Sequence, residues 1–221
     1  MNITGAIFDM DGTLIDSLMS WDMLWERMGE HYFGDRHFRP DEKTEKALRT
    51  LPMKACAKLL HQNCGVGESG EEAERFCDSF FTQFYIHDVQ IKAGVIDFLE
   101  YLLQNDVRMC IASAGSRHLL NIAVEKFGLG KYFSSIFSCA EIGRGKECPD
   151  VYIMAHEFLG TPKESTWVFE DSVVALETAT RAGYKTVGIY DRYNFGAERV
   201  AALSTEYIAS GETLLRLIGT R

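Results

Sequence analysis

The sequence predicts an α/β protein: a parallel sheet with helices on both faces, interrupted near its start by an all-helical insert. Three observations predict it. Strand and helix patterns alternate from about residue 90 to the end, short apolar runs stop at small polar or acidic residues, and residues 17–88 carry helical periodicity alone. Strands that alternate with helices of ten or more residues are joined by crossovers, which build parallel sheets covered on both faces.

In chain order, "GAIFDMDG" reads as a buried strand with aspartates at its carboxyl end. Asp11-Gly12 between apolar segments is also a hairpin signal, but parallel neighbours weaken that reading. In open parallel sheets the carboxyl ends of the strands are where ligands bind. "SLMSWDMLWERMGEHYF" spaces Leu18, Trp21, Trp25 and Met28 on one helical face. "DEKTEKALRTL" and "PMKACAKLLHQNC" are short helical segments, and "ESGEEAERFCDSFFTQFY" opens with Ser69 and Glu72 as a capping box. "GVIDFLEYLLQNDV" places Val95, Phe98, Leu99, Leu102 and Leu103 at helical spacing. "VRMCIAS" is a buried strand, and "SRHLLNIAVEKFG" a helix capped by Ser116 and stopped by Gly128. "PDVYIMAHEFLG" shows the helical asymmetry of an early proline and a terminal glycine. "STWVFEDS" is a strand, "SVVALETATRAG" a helix with Ser172 at its N-cap and Gly183 as its stop, "KTVGIYD" a strand and "EYIAS" a short last one. Residues 1–16 and 89–221 are thus assigned to the core, and 17–88 to a helical cap domain suited to act as a lid.

Bulk properties narrow the function. A chain of 221 residues with 46% hydrophobic and 25% charged residues can bury a substantial core. The net charge of −9 offers no basic footprint for nucleic acid and disfavours anionic membranes. An anionic substrate therefore needs a site that is locally positive or holds a metal. Six cysteines lie scattered without a Cys-x-x-Cys pair, and Cys110 reads as a core residue. With no signal peptide in "MNITGAIFDM" and no apolar run of membrane length, the expectation is a cytoplasmic protein with reduced thiols, a monomer by default.

Four pieces fall at or just past the carboxyl ends of predicted strands: Asp9-Met10-Asp11-Gly12-Thr13, Ser113-Ala114-Gly115-Ser116, Lys146 in "GRGKECPD", and Glu170-Asp171. Singly, each has a plain explanation as a solvated turn, a cap, a surface lysine or first-turn carboxylates beside a helix dipole. Together, four carboxylates on one sheet edge would repel one another unless a cation sat among them. Hard oxygen ligands suit magnesium, and backbone N–H groups, a hydroxyl and a lysine suit an anion. Metal and anion sites flanking one carboxylate describe phosphoryl transfer.

These motifs, in this order, resemble the haloacid dehalogenase-like (HAD) hydrolase superfamily, in the helical-cap subgroup and the branch of β-phosphoglucomutase and phosphoglycolate phosphatase. "DMDGT", "IASAGS", "GKECPD" and "EDSVVA" match its four motifs, with Glu147 replacing a proline and Ala175 a glycine. The resemblance implies a Rossmann-like core and Mg²⁺-dependent hydrolysis of a small-molecule phosphate ester. Asp9 would be the nucleophile and Asp11 the general acid and base, its carbonyl also on the metal. Asp9 and Asp171 would hold Mg²⁺ with Glu170 in direct or water-mediated support. Ser113 and the Ala114 N–H would grip phosphate, with Thr13 and Ser116 supporting, and Lys146 would screen nucleophile from phosphate.

Among rival reactions, dehalogenation needs no second aspartate, so Asp11 argues against it. A mutase of the β-phosphoglucomutase kind would show a cap histidine where Trp21 stands, and a Gly-x-Ser-Arg segment where "LRTLPMKA" offers Pro52 and Met53, with only Arg49 and Lys54 nearby. The phosphatase is therefore the expected activity and the mutase the alternative. A non-catalytic binding protein is disfavoured because no chemical group is missing. Trp21 reads first as helix packing and second as a residue shaping leaving-group choice, by stacking on a sugar ring.

Overall fold

The computed structural model describes residues 2–49 and 51–218, so Thr50 of the second helical segment lies outside them. The chain divides into two compact units, Met1–Leu18 with Val89–Arg221, and Met19–Asp88.

The first unit begins with β1 (Gly5–Phe8) and β2 (Ile15–Asp16). The second unit follows as α1 (Ser20–Phe33), α2 (Glu42–Leu48), α3 (Met53–Cys64) and α4 (Gly70–His87). The chain returns through β3 (Gln90–Ile91) to α5 (Val95–Gln104), β4 (Arg108–Ser113), α6 (Arg117–Lys126), β5 (Ile136–Ser138) and α7 (Cys139–Ile142). It ends with α8 (Asp150–Leu159), β6 (Thr166–Glu170), α9 (Val173–Arg181), β7 (Lys185–Ile189), α10 (Ala197–Leu203) and β8 (Glu206–Ile208).

Six strands form one sheet in the order β5-β4-β1-β6-β7-β8, with every neighbouring pair parallel. Ile7 faces Cys110 on one side and Val168 on the other, and Phe8 likewise faces Ile111 and Phe169. Alternate strand residues point to opposite faces, which sorts the core into two layers. Ile7, Cys110 and Val168 pack with Tyr152 and Ala155 of α8 and Ala175 and Ala179 of α9. Phe8 stacks on Phe169 at 4.2 Å and meets Phe98 of α5 edge-on at 6.4 Å. Each such buried side chain contributes about 1.5–3 kcal/mol relative to exposure. Apolar runs without alternation are what a sheet buried on both faces demands.

Asp11-Gly12 is not a hairpin turn. Its segment curls back on itself, with the N–H groups of Leu14 and Ile15 both reaching the Met10 carbonyl and that of Gly12 reaching Ile15 O at 3.0 Å. The antiparallel pair lies elsewhere: β2 pairs with β3, Ile15 opposite Ile91 and Asp16 opposite Gln90.

In the second unit, Leu24, Trp25, Met28, Cys56, Ala57, Leu60, Cys77 and Phe81 are buried. Ser69 caps α4 by accepting the Glu72 N–H at 3.2 Å. The return bond of the expected capping box differs, since the Glu72 carboxylate accepts from Glu68 N–H at 2.8 Å. Ser116 and Ser172 occupy the N-cap positions of α6 and α9 with extended backbone, yet neither side chain makes a capping bond.

Candidate active site

The sheet brings the first and fourth motifs side by side because β1 and β6 are neighbours in register. Asp9 N–H continues the ladder beyond β1, donating to Phe169 O at 2.9 Å. Glu170 closes β6 and Asp171 follows it. All three carboxylates are buried, with Asp9 6%, Glu170 0% and Asp171 4% exposed, and one oxygen of each lies within 4.8 Å of the others.

Lys146 enters from the loop before α8 and bridges two of them. Its ammonium donates to Asp9 Oδ1 at 2.5 Å and to Glu170 Oε1. Tyr152 on α8 donates to the same Glu170 oxygen at 2.8 Å, whereas Glu170 Oε2 is buried without a hydrogen-bond partner. Burial opposes the lysine's charge, but the facing Asp9 and Glu170 outweigh it and hold its pKa above the ordinary lysine value. Burial pushes Glu170 up to about 7; Lys146 pulls it down and Asp9 pushes it up. Burial, then Asp9 and Glu170, drive Asp171 well above the usual carboxylate range. Burial and Glu170 also raise Tyr152, which keeps its phenol proton as a donor.

With all three carboxylates ionised, the cluster would carry two negative charges beyond the Lys146 ammonium, the charge of one divalent cation. A partnerless buried oxygen is costly unless something coordinates it. The donor set is entirely oxygen, which fits Mg²⁺.

Gly12 makes this approach feasible. Its φ of +76° is open to glycine at little cost, and a Cβ there would lie 2.3 Å from Asp171 Oδ2. Thr13 Oγ1 donates to Asp171 Oδ1 over 3.4 Å, and Asn194 Nδ2 donates to Asp171 Oδ2 at 2.6 Å.

The first and second motifs meet around Gly115. A Cβ on Gly115 would lie 3.3 Å from Ser113 Oγ and 3.4 Å from Asp11 Oδ2, so hydroxyl and carboxylate border the same glycine. Ser17 fixes Asp11 by donating to its Oδ1 at 2.6 Å. Ser113 Oγ accepts from Gly115 N–H at 3.0 Å, which leaves its own proton for a ligand oxygen. The loop is tied down from β5, where Ser138 Oγ donates to Gly115 O at 2.8 Å. Ala114 and Ser116 are exposed on the same loop. At the proline position of the third motif, Glu147 folds back and accepts Gly145 N–H at 3.2 Å, bracing the turn that carries Lys146.

Trp21 stands in the second unit on α1, 5.5 Å from Trp25 and edge-on to Phe81 at 5.3 Å, with the Arg49 guanidinium 5.8 Å from its ring centre. A cavity of about 330 Å³ in the first unit lies along Thr13, Lys92, Tyr190 and Asp191, and is lined by neither Asp9 nor Glu170.

Tyr152, Asn194, Ser17 and Ser138 were not singled out by sequence. Tyr152 reads as helix core, Asn194 as a turn residue in "DRYNFG" and Ser138 as loop. Ser17 carried a weak signal, since it ends the segment that holds both aspartates.

A phosphorylated carbohydrates phosphatase of Thermotoga maritima is 23% identical over 210 residues, covering 95% of each chain. Hexitol phosphatase A of Escherichia coli is 25% identical over 190 residues, covering 86% of this chain and 84% of its own. The crystal structure of CbbY from Rhodobacter sphaeroides in complex with phosphate superposes with a TM-score of 0.76 at 20% identity over 93% of each chain, a likeness of fold. Residues 6–189 match the family described as Haloacid dehalogenase-like hydrolase, and the chain belongs to that family.

Proposed function

We propose that the chain is a Mg²⁺-dependent phosphatase that hydrolyses a small phosphorylated metabolite, a sugar phosphate or similar monoester, through an aspartyl phosphate on Asp9. Its family and its phosphatase relatives make it a phosphoric monoester hydrolase; substrate, metal and residue roles are the finer reading. The observation that carries it is the meeting of Asp9, Glu170 and Asp171 within 4.8 Å, with the Lys146 ammonium paired to the first two.

In this reading Asp9, Asp171 and the Asp11 carbonyl would hold the cation, with Glu170 in direct or water-mediated support. When bound, Mg²⁺ neutralises charge on the carboxylates and on the phosphoryl oxygens. Ser113 Oγ and the Ala114 N–H orient the phosphoryl group, with Thr13 and Ser116 in support. An Asp9 oxygen attacks phosphorus, the bond from phosphorus to the leaving oxygen breaks, and Asp11 delivers a proton to that oxygen. Asp11 then takes a proton from water as the water oxygen attacks phosphorus, which frees Asp9 and inorganic phosphate. Lys146 keeps its proton throughout and offsets the repulsion between Asp9 and phosphate. Trp21, with Arg49 over its ring, is assigned to leaving-group choice.

The test is phosphate release from p-nitrophenyl phosphate with and without Mg²⁺, with Asp9→Asn as control. Equal rates for the two proteins would overturn the enzymatic reading. For the mutase alternative, β-glucose 1-phosphate is supplied with its bisphosphate; glucose 6-phosphate without free phosphate would replace hydrolysis by transfer. A panel of phosphate esters probes Trp21→Ala, and an unchanged order of preference removes Trp21 from the role.

A further inference from the structure

Asp171 is held by a residue that no motif contains. Asn194, in the loop after β7, donates through Nδ2 to both Asp171 Oδ2 at 2.6 Å and Asp171 O at 2.9 Å. The amide has one orientation available, because its own Oδ1 accepts Phe195 N–H at 2.8 Å, which turns the NH₂ group toward Asp171.

The loop is itself anchored on a charge pair. Asp191 accepts Tyr193 N–H through Oδ1 at 2.9 Å and Asn194 N–H through its carbonyl at 3.2 Å. Its other oxygen takes the Lys92 ammonium at 2.7 Å, with the side chains only 2% and 18% exposed. Lys92 follows β3, and its N–H donates to Leu14 O at 2.9 Å, next to Thr13, which also touches Asp171. The contacts close into a ring from Asp171 through Asn194, Asp191, Lys92 and Leu14 to Thr13 and back. Such outer partners fix the orientation of a ligating carboxylate. Asn194 supplies a donor without a positive charge, so it orients Asp171 while leaving its negative charge for a cation.

We propose that Asn194 is a positioning residue for the metal-binding carboxylate of Asp171, and that the buried Lys92–Asp191 pair holds the loop that presents it. The proposal rests on the metal-dependent reading above.

Mg²⁺ binding to the full chain without substrate, followed by isothermal titration calorimetry, tests it, with circular dichroism and thermal unfolding in chelator as fold controls. Asn194→Ala is expected to weaken Mg²⁺ by about 10–100-fold, and the isosteric Asn194→Asp by less, because it loses the same donor but adds a negative charge that attracts the cation. Lys92→Met is expected to weaken Mg²⁺ less, and to add little when combined with Asn194→Ala, since both act through one hydrogen bond. If Asn194→Ala binds Mg²⁺ within twofold of the wild type, the role of Asn194 is overturned. Independent, multiplying losses from Lys92→Met and Asn194→Ala would overturn the link through the ion pair. A wild-type chain that releases phosphate but binds no Mg²⁺ would overturn the metal reading and this inference with it.

Discussion

The two units of the chain spend their polar groups in opposite ways. In the second unit many side-chain hydrogen bonds are local, as between Asp41 and Thr44, Glu42 and Lys46, Glu45 and Arg49, and Ser69 and Glu72, and Arg39 reaches Glu26 across only 13 positions. Its interior is closed by aliphatic, sulfur and aromatic side chains. In the first unit, Lys146 reaches Asp9 across 137 positions of sequence and Thr13 reaches Asp171 across 158, with both of these carboxylates buried. Charges buried beside each other raise the free energy of the empty fold, so the sheet contributes stability that the charged cluster draws on. The first unit carries the proposed reacting groups, whereas the second closes on an apolar helical core.

Substitutions should fall out along that line. The largest effect is expected from Asp9→Asn, which removes the proposed nucleophile and should abolish phosphate release while leaving the fold intact. Asp11→Asn should lower kcat by about 10²–10⁴-fold, the usual reach of a general acid and base, measurable in the same assay. Leu60→Ala should cost about 2–5 kcal/mol of stability through a buried cavity. Trp21 and Trp25 lie in the second unit and Trp167 in the first, so tryptophan fluorescence during heating reports mainly on the weakened unit. Loss of Leu60 that left the unfolding curve unchanged would blur the distinction between the units.

A smaller and more diagnostic effect comes from pH. Glu170 and Asp171 have raised pKa values, so between about 4.5 and 7 the folded chain binds more protons than the unfolded one. Stability is then lost as pH rises through that window. In chelator, Tm should fall from pH 5 to pH 7.5, and Mg²⁺ should restore it at the higher pH but hardly at the lower. A Tm that rises with pH in chelator would contradict the charge balance drawn for the site. Ser69→Ala should have the least effect, about 1 kcal/mol from the lost cap of α4, read as a Tm lower by about 2–4 °C.

How much of this was legible in the sequence follows the same division. The parallel core could be read because its strands are apolar runs and its longer helices carry apolar periodicity, several ending at or just before glycine, as α8 does at Gly160. Strand β5 escaped because three residues in "SSIFSC" show neither alternation nor length, and β2 and β3 are two residues each. Helix α10 lies in a stretch rich in alanine and charge with little apolar periodicity. Four motifs taken together and in order pointed to Asp9, Asp11, Lys146, Glu170 and Asp171, although singly each had a plain explanation and Lys146 follows α7 rather than a strand. Tyr152 and Asn194 gave no such signal: their parts depend on which elements the topology sets side by side, and a single sequence does not encode that locally.

The short pair of β2 and β3 has a consequence for how such a chain can vary. Asp16 and Gln90 are opposite partners, so the whole Met19–Asp88 unit departs from and returns to adjacent points. It is in effect the loop of a hairpin, grown to the size of a domain. Closure entropy rises only slowly with loop length, so what is threaded between these two strands can be lengthened, trimmed or exchanged without asking any strand of the main sheet to shift register. The sheet end that carries Asp9 can stay constant while its companion is swapped like an interchangeable head.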